Sequence, residues 1–159
     1  MTAAVETAGL HQLTLAQAGE RIGSHRLSPV EYVEGLVARA EAVDVQVQAY
    51  VTRTFEQALD GARKASDEIA AGRYRGPLHG IPFALKDCFN TAGIPTTGHS
   101  RVLADNVPDR DAVVTGKLRD AGALLMGKLA LFEFAHGGPS FDLPWPPPRN
   151  PWNLTRVTG

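Results

Sequence analysis

Residues 80–88 read GIPFALKDC, and the reading of this stretch decides the fold. Ile81, Phe83, Ala84 and Leu85 make a short apolar run after a turn-rich approach, RGPLHG, which predicts a buried strand. Lys86 then arrives at the strand's end, followed by Asp87 and by Cys88, the only cysteine of the chain. An ammonium group is strongly hydrated, and burying it without a partner is costly. Two readings of Lys86 stand side by side. Its stem can lie along apolar surface while its head reaches water or pairs with Asp87. Alternatively, desolvation and neighbouring dipoles lower its pKa until it can accept a proton. A strand's C-terminal end is where sites gather in α/β sheets, which supports the second reading without deciding it.

Working outward, ALLMGK at 123–128 is a second short apolar strand, and AVVTGKLRDAG before it reads as a helix from about Asp111 to Gly122. Strand, helix and strand make a βαβ unit, so the two strands are expected to be parallel and buried on both faces. LALFEFAHGG reads as a short helix closed by Gly137 and Gly138. The proline-rich tail from Pro139 is expected to be extended or turn. Upstream, Thr14 and Gln17 form a capping box before LAQAGERIG. Ser28, Pro29 and Glu31 mark a second helix start. A third helix fits Phe55 to Ala71. Between the last two, Val45, Val47, Ala49 and Val51 alternate with polar residues as in a half-exposed strand or extended connection. The expected organisation is a helical section over 1–75 and the opening of an α/β core over 76–159, one incomplete domain overall.

The 159 residues carry a formal net charge of -1, 43% hydrophobic and 21% charged residues. This is the composition of an ordinary globular domain, without the basic excess that suits nucleic acid or anionic membranes. A single cysteine forms no internal disulfide, and no signal-like or spanning apolar stretch is present. These features point to a cytoplasmic protein.

Several motifs carry little. Gly122 to Lys128 has the G-x-x-x-x-G-K spacing of a phosphate loop, but Leu129 stands where a hydroxyl is required and ALLM is strand-like. The five histidines are too scattered for local metal-ligand spacing. Cys88 beside Lys86 has the makings of an activated thiol, yet no histidine is adjacent in sequence to support it.

GPLHGIPFALKD, GIPTTGHS, AGALLMGKLALFEFAHGG and RNPWN, in this order, resemble the amidase signature family, over about Ser28 to Gly159. The resemblance implies an α/β fold: N-terminal helices followed by the first strands of a mixed, largely parallel sheet covered by helices, here incomplete. It implies a hydrolase that cleaves a carboxamide C–N bond to a carboxylate and ammonia or an amine, without metal or cofactor. The family's triad is a lysine, a serine with a cis peptide bond and a serine nucleophile, a variant of the nucleophile–base arrangement. The GIPFALKD lysine matches Lys86, the one catalytic residue carried over, and the expectation is that burial holds it neutral. The two serines belong to a glycine- and serine-rich segment after an RNPW-type stretch. Here RNPWNLTRVTG ends at Gly159, so the chain is expected to be an N-terminal portion that is inactive alone. Ser100 and Ser140 do not occupy the nucleophile position. The implied partners are a small-molecule amide and a second copy or a small accessory protein, with no membrane and no direct contact to nucleic acid. His99 stands where a small residue is expected. Ala130 stands where the glutaminase-type chains of tRNA-dependent amidotransferases often have asparagine, which tilts the reading toward a small-molecule amidase. The alternatives are such a glutaminase-type amidotransferase chain, or a non-catalytic interaction module.

Overall fold

The computed structural model describes residues 9–158. Helices α1 (Leu15–Gly23), α2 (Pro29–Val47), α3 (Phe55–Ala70) and α4 (Val113–Asp120) accompany strands β1 (Tyr50–Arg53), β2 (Pro82–Lys86), β3 (Leu124–Leu129), β4 (Arg149–Asn150) and β5 (Asn153–Val157). The first three strands form one sheet in the order β1-β3-β2, and β4 pairs with β5. The fold is α/β, as its sequence pattern predicts.

Two compact units interleave along the chain. One comprises the chain up to Glu41, Thr54–Phe83 and Lys117–Met126; the other comprises Ala42–Arg53, Ala84–Gly116 and the chain from Gly127.

In the first unit, the capping box of α1 is complete: the Thr14 hydroxyl accepts from the Gln17 amide, and the Gln17 side chain accepts from the Thr14 amide. It satisfies helix-terminal donors that have no partner in the helix itself. Leu10, Ile22, Leu27, Tyr32, Ile69 and Ile81 share one buried cluster. The buried residues of α3 are Ala58, Ala62, Ala65 and Ile69, the helical spacing that the sequence shows. Behind the approach to β2, the buried His79 ring accepts from the Arg75 amide at Nδ1 (3.2 Å) and meets Glu68 at Nε2 (3.1 Å). This arrangement suits a neutral ring with its proton on Nε2. The Gly80 amide donates to the Gly122 carbonyl, and the Leu124 amide to that of Ile81 (both 2.9 Å).

The second unit contains the opposite end of the same strand pairing. There the Asp87 amide donates to the Leu129 carbonyl at 2.9 Å. Residues 81 and 87 are thus matched with 124 and 129 in ascending order, so β2 and β3 are parallel. β1 runs antiparallel to β3, with Thr52 opposite Lys128 and Arg53 opposite Gly127, which makes the sheet mixed.

Three expectations need correction. α2 continues through Val45 and Val47, so the alternating stretch is mostly helix and β1 begins only at Tyr50. The switch occurs at Gln48, left-handed at φ 55°, while the Asp44 carboxylate accepts from the Ala49 and Tyr50 amides and pairs with Arg53. LALFEFAHGG forms only a 3-10 turn at Glu133–Ala135, because the Phe134 amide is taken by the Gly98 carbonyl (2.8 Å) and Phe134 and Ala135 are left-handed. β2 is half-buried rather than buried on both faces, whereas Leu125 to Lys128 of β3 are buried. β2 lies at a sheet edge and β3 between two neighbours.

Both a backbone position and a buried ring in this fold can be tested. Gly127 has φ +154°, and a Cβ there would lie 2.3 Å from the Thr52 carbonyl oxygen. Gly127→Ala is expected to cost at least about 1–3 kcal/mol from backbone strain alone, read as a lowered denaturation midpoint. Burial, followed by the Arg75 charge, pushes the His79 pKa below its ordinary value of 6.5, and Glu68 only partly opposes this. The unfolded chain therefore takes up the proton first as pH falls. The stability tied to neutral His79 is fully present above the unfolded pKa and is lost as pH drops through and below it. Denaturation across about pH 7.5 to 5 should show this loss, and His79→Asn should flatten it.

Candidate active site

Strand alternation sorts the three residues at the end of β2. Leu85 points into the protein, Lys86 is exposed and Asp87 is completely buried. Lys86 lines a cavity of ≈ 300 Å³ whose walls include Ala130, Leu131, Phe132, Ala135 and Pro148. The expectation of a desolvated Lys86 is thus corrected: an outward-facing position at the end of an edge strand leaves it open to solvent.

The buried lysine is Lys128, with 0% exposure. Its ammonium lies 3.2 Å from Asp87 Oδ1, 2.6 Å from the Thr96 hydroxyl and 3.5 Å from the Pro95 carbonyl. Asp87 Oδ1 makes this charge contact without a well-aligned hydrogen bond. Asp87 Oδ2 accepts from the Thr97 amide (3.0 Å) and hydroxyl (2.5 Å), and the Asp87 carbonyl accepts from the Gly98 amide (2.9 Å). Burial pulls the Lys128 pKa below its ordinary value, and the Asp87 carboxylate acts against that pull. With a counter-ion and no path to solvent, Lys128 cannot meet a substrate. Its strand setting and ion pair also dispose of the phosphate-loop reading.

The TTGHS loop is fixed by the same group. His99 is buried and left-handed (φ 57°); its amide donates to the Thr97 hydroxyl, and its Nε2 lies 3.1 Å from the Trp145 carbonyl oxygen. The His99 and Trp145 rings are in tilted contact at 5.7 Å. Ser100, also buried, donates to Glu133 at 2.6 Å and accepts from the Val102 amide, so its hydroxyl is committed. The Ser140 hydroxyl is bonded to Asp142. Cys88 is an exposed free thiol. Among the described residues, no cluster of three His, Cys, Asp or Glu side chains could hold a metal, and no helix is long and apolar enough to cross a membrane.

The sequence reading does not reach the roles of Lys128, Thr97 and Glu133. For Lys128 a signal is present: a lysine inside an apolar strand calls for a counter-ion, and Asp87 is the acid at the end of the other apolar strand.

The Amidase family model matches residues 31–159. The chain belongs to the Amidase family. Among curated relatives, the glutamyl-tRNA(Gln) amidotransferase chain of type A from Moorella thermoacetica is 45% identical over 150 residues, 94% of this chain and 31% of the relative. The chain therefore spans about a third of the length of such relatives. A bacterial aryl acylamidase of the amidase signature family superposes with a TM-score of 0.81 at 28% identity, over 89% of this chain and 30% of that one. A structure described as a vestigial protein complex bearing on the origins of an s-triazine catabolic enzyme gives a TM-score of 0.85 at 32% identity, over 91% of this chain and 32% of that one. Within this amidase chain, Asp87→Ala would strand the Lys128 ammonium. It is expected to cost about 3–5 kcal/mol, measured by denaturant unfolding.

Proposed function

We propose that this chain supplies the lysine base of a serine amidase, and that the base is Lys86. The carrying observation is that Lys86 lines a cavity while the neighbouring lysine is buried and neutralised by Asp87. A general base must come within hydrogen-bond reach of the proton it takes, and Lys86 is the lysine so placed. In the mechanism implied by family membership, the lysine receives the nucleophile's proton through the cis serine. The serine oxygen bonds to the amide carbonyl carbon, the C–N bond breaks as the proton passes to the leaving nitrogen, and water then releases the carboxylate. Both serines lie outside these 159 residues in this reading. The chain by itself is therefore expected to hydrolyse no amide and to take no fluorophosphonate label at Ser100 or Ser140.

The apolar walls contributed by Ala130, Leu131, Phe132 and Pro148 suit a small amide substrate with an apolar portion. Ala130, where the glutaminase-type amidotransferase chains often have asparagine, lies in this wall and supports a general amidase. The second reading, a glutaminase-type chain in a tRNA-dependent amidotransferase, is favoured by the 45% identity to one such chain. Glutamine hydrolysis that depends on small accessory proteins would select it. The amidase reading takes a cytoplasmic enzyme, acting as a homodimer or with a small accessory protein, without direct nucleic-acid or membrane contact.

The test is Lys86→Ala in the whole enzyme that contains this chain. Turnover should fall by several orders of magnitude, because triad members act as a unit. Near-normal amide hydrolysis by the folded variant would remove Lys86 from the mechanism.

A further inference from the structure

A buried ion pair is weak support for stability, since well-packed apolar residues of similar volume often serve as well or better. The Lys128–Asp87 pair therefore calls for another account, and its position in the chain suggests one. Asp87 follows Lys86 directly, so whatever fixes the Asp87 backbone fixes the point from which the Lys86 side chain departs. That backbone is held on both sides, by its amide on the Leu129 carbonyl and by its carbonyl on the Gly98 amide. The Lys86 carbonyl is itself bonded to the Phe89 amide at 3.0 Å. The Asp87 side chain adds three contacts, to Lys128 and twice to Thr97. Lys128 also ties down the Pro95–Thr96 segment that leads into the same loop.

We propose that Lys128 is a positioning residue for Lys86: through Asp87 and the loop 95–98 it fixes where the exposed lysine enters the cavity. As a positioning role in catalysis, this rests on the assignment of Lys86 as the base. The interaction also explains why the cation belongs at position 128. An apolar residue there would fill space but leave Asp87 without a counter-ion, and the loop would lose its common anchor.

The experiment measures Lys86 directly in the whole enzyme. Trace acetylation with acetic anhydride across a pH series, read by mass spectrometry, reports the reactivity of the Lys86 amine against that of the exposed Lys64 and Lys117. Two variants are compared with the parent. Lys128→Met removes the cation, and Thr97→Val removes one hydroxyl from Asp87 while retaining both charges. In each folded variant the Lys86 profile should move by at least about threefold in rate, equivalent to half a pKa unit, with Lys64 and Lys117 unchanged. Turnover should fall by about ten- to a hundredfold with little change in KM, as for a misplaced catalytic group. If Lys128→Met does not fold, Thr97→Val decides. An unchanged Lys86 profile in a folded variant overturns the proposal, whatever its activity. Retained activity in Lys86→Ala would instead overturn the assignment of the base and leave the labelling result intact, so the two failures are separable.

Discussion

The buried contact between Lys128 and Asp87 is the constraint on which the second unit is built. It joins the inner strand β3 to the residue that ends β2, and both charges are withdrawn completely from water. Such a pair is tolerated only when the remaining polar valences are met. Here they are met by Thr96, Pro95, Thr97 and the backbone of the TTGHS loop. Loop, strand end and ion pair are consequently one arrangement. His99 and Ser100 continue it, the first toward Trp145 and the second toward Glu133.

This arrangement assigns the two lysines of the sheet to different tasks. Strand alternation turns Asp87 inward, where it neutralises Lys128, and leaves Lys86 facing the opposite way at a cavity with largely apolar walls. A solvent-open lysine at a cavity wall is available to a substrate; a lysine sealed against a carboxylate is not. Family membership supplies the chemistry that an available lysine would perform, and the geometry indicates which lysine it is. The Ala130 wall position places a departure from the amidotransferase pattern at the same cavity.

Much of the fold was legible because its determinants are local. The Thr14 capping box, the Ser28–Pro29 start of α2 and the alanine-lined face of α3 depend on residues three or four apart. The apolar runs at 81–85 and 124–126 depend on composition alone. Local signals failed where tertiary contacts decide. The alternation at 45–51 has a strand's period, yet α2 continues through Val47 because Asp44 captures the amides that follow the helix. The FEFA segment has helix-forming residues, but Gly98 takes the amide that a helix would use. The family lysine was legible at Lys86 from its motif, whereas its exposure was not. An apolar run does not reveal which of two adjacent charged residues turns inward, and the ion pair spans 41 positions of sequence, from Asp87 to Lys128.

The most direct test of the account is a crystal structure of the whole enzyme acylated by an amide-mimicking inhibitor. The account predicts the adduct in the cavity bounded by Ala130 and Phe132, with Lys86 Nζ linked to the acylated serine through one intervening hydroxyl at hydrogen-bond distances of about 3 Å. Lys128 should remain paired with Asp87. An adduct beside Lys128, or a Lys86 directed away from it with no hydrogen-bonded route between them, would contradict the account.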